Sequence, residues 1–365
     1  HIRRIARPRR IDGHQEDRMS RDVVAAMTAY TLELREAAIK LNQNESPTDF
    51  PQELKEKVLA EMASRHWNIY PDFESMMLRG ALAKAHGYEA ENVLVGNGSN
   101  ELLAAAIPTF IGPGTPVVFP KPTFALYEKL IAVAGGIALP IAVDPSTGLL
   151  PLDEMLRAIE RCDNAVVIVC SPNNPTGGVL PEGGIDALLA TGATVLFDRA
   201  YGDFADDTMP SLNDRLVTFS TFSKAWGLAG LRVGWLASTA STCREIRKVK
   251  LPYSLNIISE AVAATALEHP EIRARNVAAT ITERARIFAA MQEIEGVTPF
   301  PSRSNFIAFT MHRGAKDVFN VLHAGGILIR DISAAVPNSL RVSVGTPVEN
   351  DAFLTALKQI MKDER

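Results

Sequence analysis

Six short runs of the chain are apolar almost throughout: VLVG (93–96), PVVF (116–119), AVVIVC (165–170), TVLFD (194–198), LVTFS (216–220) and VGWLA (233–237). A strand with one wet face alternates apolar and polar side chains, so unbroken runs are expected where both sheet faces are covered. Between several of these runs the period changes. In LDEMLRAIER (152–161), Leu152, Met155, Leu156 and Ile159 return at three- and four-residue intervals, which predicts a helix. The alternation predicts an α/β fold: a mainly parallel sheet with helices on both faces.

Beyond about residue 255 the texture differs. Pro270 opens a long helical pattern through Ile272, Val277, Ile281 and Ile287 that stops at Gly296, with proline at the start and glycine past the end. Strand-like SNFIAFT (304–310), a helix over 315–324, GILIR (326–330), LRVSV (340–344) and a helix near 349–363 follow. These predict a smaller α+β domain. The expected organisation is an N-terminal arm (1–20), a large domain (46–255), and a small domain assembled from 21–45 and 256–365.

Composition narrows the function classes. The 365 residues carry 38 Lys and Arg against 42 Asp and Glu, a balance that argues against a nucleic-acid partner. No apolar run is long enough to span a bilayer. Cys162, Cys170 and Cys243 show no CxxC spacing, and their odd number argues against a disulfide framework, so reduced thiols and a cytoplasmic location are expected. No metal-ligand pattern stands out. The opening HIRRIARPRR has five arginines and no acid, and is expected to be a disordered or packing arm.

Four features carry chemistry. Lys224, in TFSTFSKAW, has no charged partner within five positions. Burial there lowers the amine pKa, as attack on a carbonyl requires, although a surface lysine is the commoner case. Asp198 and Tyr201 directly follow TVLFD, at the strand end where open α/β sheets bind ligands. With Lys224, they suggest pyridoxal 5'-phosphate: a carboxylate against the ring nitrogen keeps it protonated, and a phenol beside the ring oxygen tunes it. SPNNPTG (171–177) forms a turn by composition alone, and from it Asn174 could donate to that oxygen. In GNGSNELLAAA (96–106) the third glycine of a dinucleotide fingerprint is replaced by Glu101. Gly98, Ser99 and Asn100 instead suit a phosphate at a helix N-terminus, or an ordinary helix start.

Asp198-x-x-Tyr201, Ser223-Lys224, Arg232 and the upstream SPNNPTG, in that order, resemble the fold-type I pyridoxal-phosphate aminotransferases of the aspartate aminotransferase superfamily, from about residue 30 to the C-terminus. The resemblance implies roles. Lys224 would carry the cofactor, Asp198 would face the pyridinium, and Tyr201 and Asn174 would contact the ring oxygen. Phe124 would stack on the ring. Arg232, Thr221, Ser223 and the amides of Ser99 and Asn100 would hold the phosphate. Tyr70, in IYPD, would reach the neighbouring subunit's phosphate, which implies a homodimer.

LNQNESP (41–47), GILIRD (326–331) and LRVSVGTPVEN (340–350) are similar to the histidinol-phosphate aminotransferase subfamily. There, Arg330 and Arg341 would grip the substrate phosphate, one of them also accepting glutamate's carboxylate, and Tyr30 would assist at the substrate. The implied reaction moves an amino group between L-histidinol phosphate and 2-oxoglutarate. Alternatives are an aromatic or broad-specificity amino-acid aminotransferase and a threonine-phosphate decarboxylase. A regulatory protein that keeps only the scaffold is disfavoured by the presence of both Lys224 and Asp198.

Overall fold

The computed structural model describes residues 20–29, 35–205 and 208–362. By contacts the chain divides into two units, residues 1–33 and 34–365. The described part of the first holds one short helix, Asp22–Ala25, with no buried residue. The arginine-rich start lies outside the described residues.

The second unit contains thirteen strands among its described residues: β1 (Ile39–Lys40), β2 (Val93–Asn97), β3 (Pro116–Lys121), β4 (Ile137–Ala142), β5 (Val166–Cys170), β6 (Thr194–Asp198), β7 (Leu216–Thr221), β8 (Val233–Ala237), β9 (Val297–Pro299), β10 (Phe306–Met311), β11 (Ile327–Leu328), β12 (Arg330–Asp331) and β13 (Ser339–Ser343). Seven form one sheet in the order β2-β8-β7-β6-β5-β3-β4. Its neighbours are parallel except β8, which runs antiparallel to both β2 and β7.

The unbroken apolar runs are resolved by the pleat. Val166 and Ile168 join one buried cluster with Leu102, Ile107 and Ile131, on helices Ser99–Phe110 and Leu126–Ala134. Val167 and Val169 point the other way, packing with Met155, Ile159 and Leu188 from helices Leu152–Ile159 and Gly184–Ala190. Successive side chains thus serve opposite faces, and both are covered. All six expected strands form. The seventh, β4, was not expected: it is an edge strand, alternately half-buried and exposed, with Pro140 inside it. An edge strand tolerates that proline, because its open side needs no ladder donor.

β12-β13-β10-β9 make an antiparallel four-stranded sheet. Ile307, Phe309, Leu340 and Val342 pack there against Ile287 and Met291 of helix Pro270–Gln292, Val318 and Leu322 of helix Ala315–Ala324, and Phe353 and Leu357 of helix Pro347–Lys362. GILIR does not form one strand. β11 pairs in parallel with β1, while β12 pairs with β13. Partner strands, which local sequence does not encode, divide the run. Among the described residues no helix is long and apolar enough to cross a membrane.

Candidate active site

The candidate residues gather at the carboxyl ends of β5, β6 and β7, the crevice side of an open parallel sheet. Cys170 and Asp198 end adjacent strands in register. Asp198 is 4% exposed. Its Oδ2 accepts from the Tyr127 hydroxyl at 2.6 Å and its Oδ1 from the Ala200 N–H at 2.9 Å. Burial raises the Asp198 pKa, only partly offset by these two donors. A cation facing such a carboxylate would restore its charge, so the site suits a protonated ring nitrogen.

Lys224 follows β7 on a short turn. Its Nζ donates to the Gln43 carbonyl at 3.1 Å and stands 5.7 Å from the Tyr201 ring centroid. Burial, then Arg341, lowers its pKa to about 8, with Glu45 opposing and Arg232 and Lys40 assisting. The shift has the expected direction, yet at pH 7 the ammonium still predominates. Tyr201 is buried against Phe306, edge to face at 5.3 Å. Desolvation pushes its phenol up to about 12.

The turn Ser171–Gly177 holds two asparagines with different work. Asn173 is fully buried: its amide donates to the Pro122 carbonyl and the Thr176 hydroxyl, each at 2.9 Å, and accepts from Thr123 at 2.7 Å. That network immobilises the turn. Asn174 is half-buried, and its Oδ1 accepts from Arg341 Nη1. With the oxygen so engaged, the NH2 remains as the donor.

The phosphate hypothesis has a structural test. Gly98, at φ 77°, precedes helix Ser99–Phe110, and no side chain caps that N-terminus. A Cβ at Gly98 would lie 2.5 Å from Arg232 Nη2, and one at Gly234 would lie 2.2 Å from the Ser99 nitrogen. The Arg232 guanidinium therefore lies against the glycine turn, where helix N–H groups and the helix dipole favour an anion. Arg232 Nη1 donates to Ser223 Oγ at 3.3 Å, and Thr221 Oγ1 donates to that same oxygen at 3.0 Å. Backbone N–H groups, two hydroxyls and one guanidinium form a donor set matched to a phosphate dianion.

Arg341 is buried, donates through Nη2 to the Asn42 carbonyl at 3.0 Å, and lies 5.1 Å over the Phe306 ring. Arg330 is directly opposite Arg341 in the β12–β13 pairing, half-buried, with no ion pair among the described residues. Its chain neighbour Asp331 accepts instead from the Ser333 N–H at 2.8 Å. Phe124 is partly buried, edge-on to Tyr127 at 5.6 Å. Tyr70 is not gathered into this site within one chain: it is 78% exposed and stacks on Tyr253 at 4.7 Å. Tyr30 lies outside the described residues.

Tyr127 and the segment Asn42–Asn44 were missed as site residues. A tyrosine on the apolar face of a predicted helix needs a partner for its hydroxyl, and that was the available signal.

The chain matches the family model "Aminotransferase class I and II" over residues 36–357. It is 35% identical over 350 residues to a histidinol-phosphate aminotransferase of Aquifex aeolicus, covering 93% of this chain and 97% of that one. Another of that name, from Ruminiclostridium cellulolyticum, is 31% identical over 354 residues, covering 94% and 98%. Among solved structures, histidinol-phosphate aminotransferase from Sinorhizobium meliloti in complex with pyridoxal-5'-phosphate superposes with a TM-score of 0.83 at 25% identity, covering 94% of this chain and 98% of that one.

Proposed function

The chain belongs to the class I and II aminotransferases, and from that premise we propose that it uses pyridoxal phosphate to move an amino group between L-histidinol phosphate and 2-oxoglutarate. The observation that carries the substrate is the opposition of Arg330 and Arg341 across β12–β13. Directly opposed residues share a sheet face, so two guanidinium groups are presented together, one of them bonded to Asn174. Two guanidinium forks accept a phosphate, or a carboxylate in its place.

Gly98, Ser99, Asn100, Thr221, Ser223 and Arg232 would hold the cofactor phosphate, Phe124 its ring face, Asp198 its ring nitrogen, and Asn174 and Tyr201 its ring oxygen. Lys224 would attach it. When bound, the cofactor supplies an electron sink for the bond broken at the substrate's α-carbon. Lys224 Nζ moves the proton from that carbon, and a pKa of about 8 lets it accept and return a proton near neutrality. Tyr127 orients Asp198 by donating to Oδ2.

The active form is a homodimer. Its support is an exposed apolar surface in which Trp67, Tyr70 and Leu251 are 68%, 78% and 66% exposed and Phe73 packs edge-on to Tyr253 at 5.1 Å. The free thiols of Cys162, Cys170 and Cys243 support a cytoplasmic setting.

The test is a half-reaction: histidinol phosphate alone, added to the purified holoenzyme, bleaches the visible band of the bound cofactor. Retention of the band at millimolar histidinol phosphate, with bleaching by phenylalanine, overturns the substrate in favour of an aromatic amino acid. CO₂ release from O-phosphothreonine overturns it in favour of a decarboxylase.

A further inference from the structure

Three consecutive residues, Asn42, Gln43 and Asn44, each meet a different residue of the site. The Asn42 carbonyl accepts from Arg341 Nη2 at 3.0 Å, and the Gln43 carbonyl accepts from Lys224 Nζ at 3.1 Å. Asn44 Nδ2 donates to the Tyr201 hydroxyl at 2.9 Å. The segment is pinned to the small sheet: Ser343 N–H donates to the Leu41 carbonyl at 2.9 Å, and Asn305 Nδ2 to the Asn44 carbonyl at 3.0 Å. Asn44 has φ 55°, a left-handed conformation that asparagine tolerates better than other side-chain-bearing residues.

Donor accounting orients the Asn44 amide. Ser343 Oγ accepts from the Asn44 N–H at 2.8 Å, and its own hydrogen goes to Asn44 Oδ1 at 3.3 Å. Oδ1 is thus the acceptor end, which turns the NH2 to Tyr201. Asn44 and Tyr201 are 2% and 5% exposed, so solvent does not substitute for this bond. A phenol has one hydrogen. With Asn44 donating into its oxygen, that hydrogen is directed elsewhere, and the O–H is polarised into a better donor.

We propose that Asn44 is a positioning residue for Tyr201, aiming the phenol hydrogen at the cofactor's ring oxygen and strengthening that hydrogen bond. This rests on the cofactor-site reading above and is independent of which amine is the substrate. Burial pushes the Tyr201 phenol up, and Arg341 and then Asn44 act against that rise. Donation by Tyr201 stabilises negative charge on the ring oxygen and so favours the deprotonated bound cofactor. Weakening it raises the pH at which the visible band changes.

The experiment titrates the visible absorption of holoenzyme reconstituted with pyridoxal phosphate alone. Asn44→Asp preserves size and left-handed tolerance but places an acceptor where the donor stood, drawing the Tyr201 hydrogen away. The midpoint is expected to rise by about 1 unit, a tenfold change in the protonation constant. Tyr201→Phe is expected to raise it similarly, and adding the uncharged change Asn44→Gly to Tyr201→Phe is expected to change nothing further. An unmoved midpoint in Asn44→Asp or Asn44→Gly, or a shift by Asn44→Gly that is equally large in the Tyr201→Phe background, overturns the proposal. Asn44→Gly, which keeps the backbone conformation and removes the amide, reads the same quantity should the Asp variant fail to fold. No amine substrate is added, so failure here is distinct from failure of the histidinol phosphate assignment.

Discussion

Asp198 and Thr221 close neighbouring strands in the interior of a seven-stranded sheet, whereas Arg330 sits on a two-residue strand at the margin of a four-stranded one. The first pair is held by β5, β6, β7 and β8 in continuous register, with helices on both faces. Arg330 is held by one short antiparallel pairing to β13. Groups proposed for the chemistry thus sit where backbone geometry leaves little freedom. Arg330, proposed to recognise the substrate, sits at an edge, where a changed side chain disturbs few ladder bonds, and Arg341 lies one strand further in, on β13 between β12 and β10. A scaffold built this way can change its substrate while keeping its reaction.

Lys224→Ala is the harshest way to probe the rigid half. Turnover is expected to fall by at least about 10⁴-fold, as the covalent attachment and the proton transfer proposed for this residue would both be lost. Cofactor absorbance after gel filtration would show it still bound noncovalently. In the smaller sheet, Arg341→Leu is expected to lower kcat/KM for both substrates by roughly 10²-fold, because a buried guanidinium that also holds Asn174 is removed. Arg330→Leu is expected to raise KM for the phosphorylated amine by roughly tenfold and to spare 2-oxoglutarate. Equal losses for both substrates in Arg330→Leu would erase the contrast between the two arginines.

Tyr127→Phe returns to the interior. Removing the donor to Asp198 Oδ2 is expected to weaken cofactor binding by roughly three- to tenfold, read by titrating apoprotein with pyridoxal phosphate. The same interior responds to pH. In its proposed role Lys224 would attack the cofactor carbonyl only as the neutral amine, and its pKa is lowered to about 8. Reconstitution of apoprotein should accelerate by about tenfold from pH 7 to pH 9 and then level off. A rate that keeps climbing to pH 10 would mean that burial does not depress the amine.

The interior half was the more legible in the sequence. TVLFD ends on Asp198 and LVTFS leads to Lys224, so placing the strands placed the residues at their ends. GNGSN read as an anion turn because glycine and a following helix are local features. The contacts that cross between sheets were hidden. Arg341 meets Asn174 167 positions away, and Asn44 meets Tyr201 157 positions away. Neither pair has a shared local pattern. GILIR read as one strand because apolarity does not say which partner each half will take.

The sequence alone determined the alternation of buried strands and amphipathic helices, and with it the sheet whose strand ends carry Asp198 and Lys224. Those outcomes depend on side-chain period and on residues adjacent along the chain. Tertiary structure decided the rest: that Asp198 is gripped by Tyr127, that Arg330 and Arg341 stand opposite one another, and that Asn42 to Asn44 lie across the site. Each of those contacts arises when separate elements pack, and burial then sets the charge each group can carry.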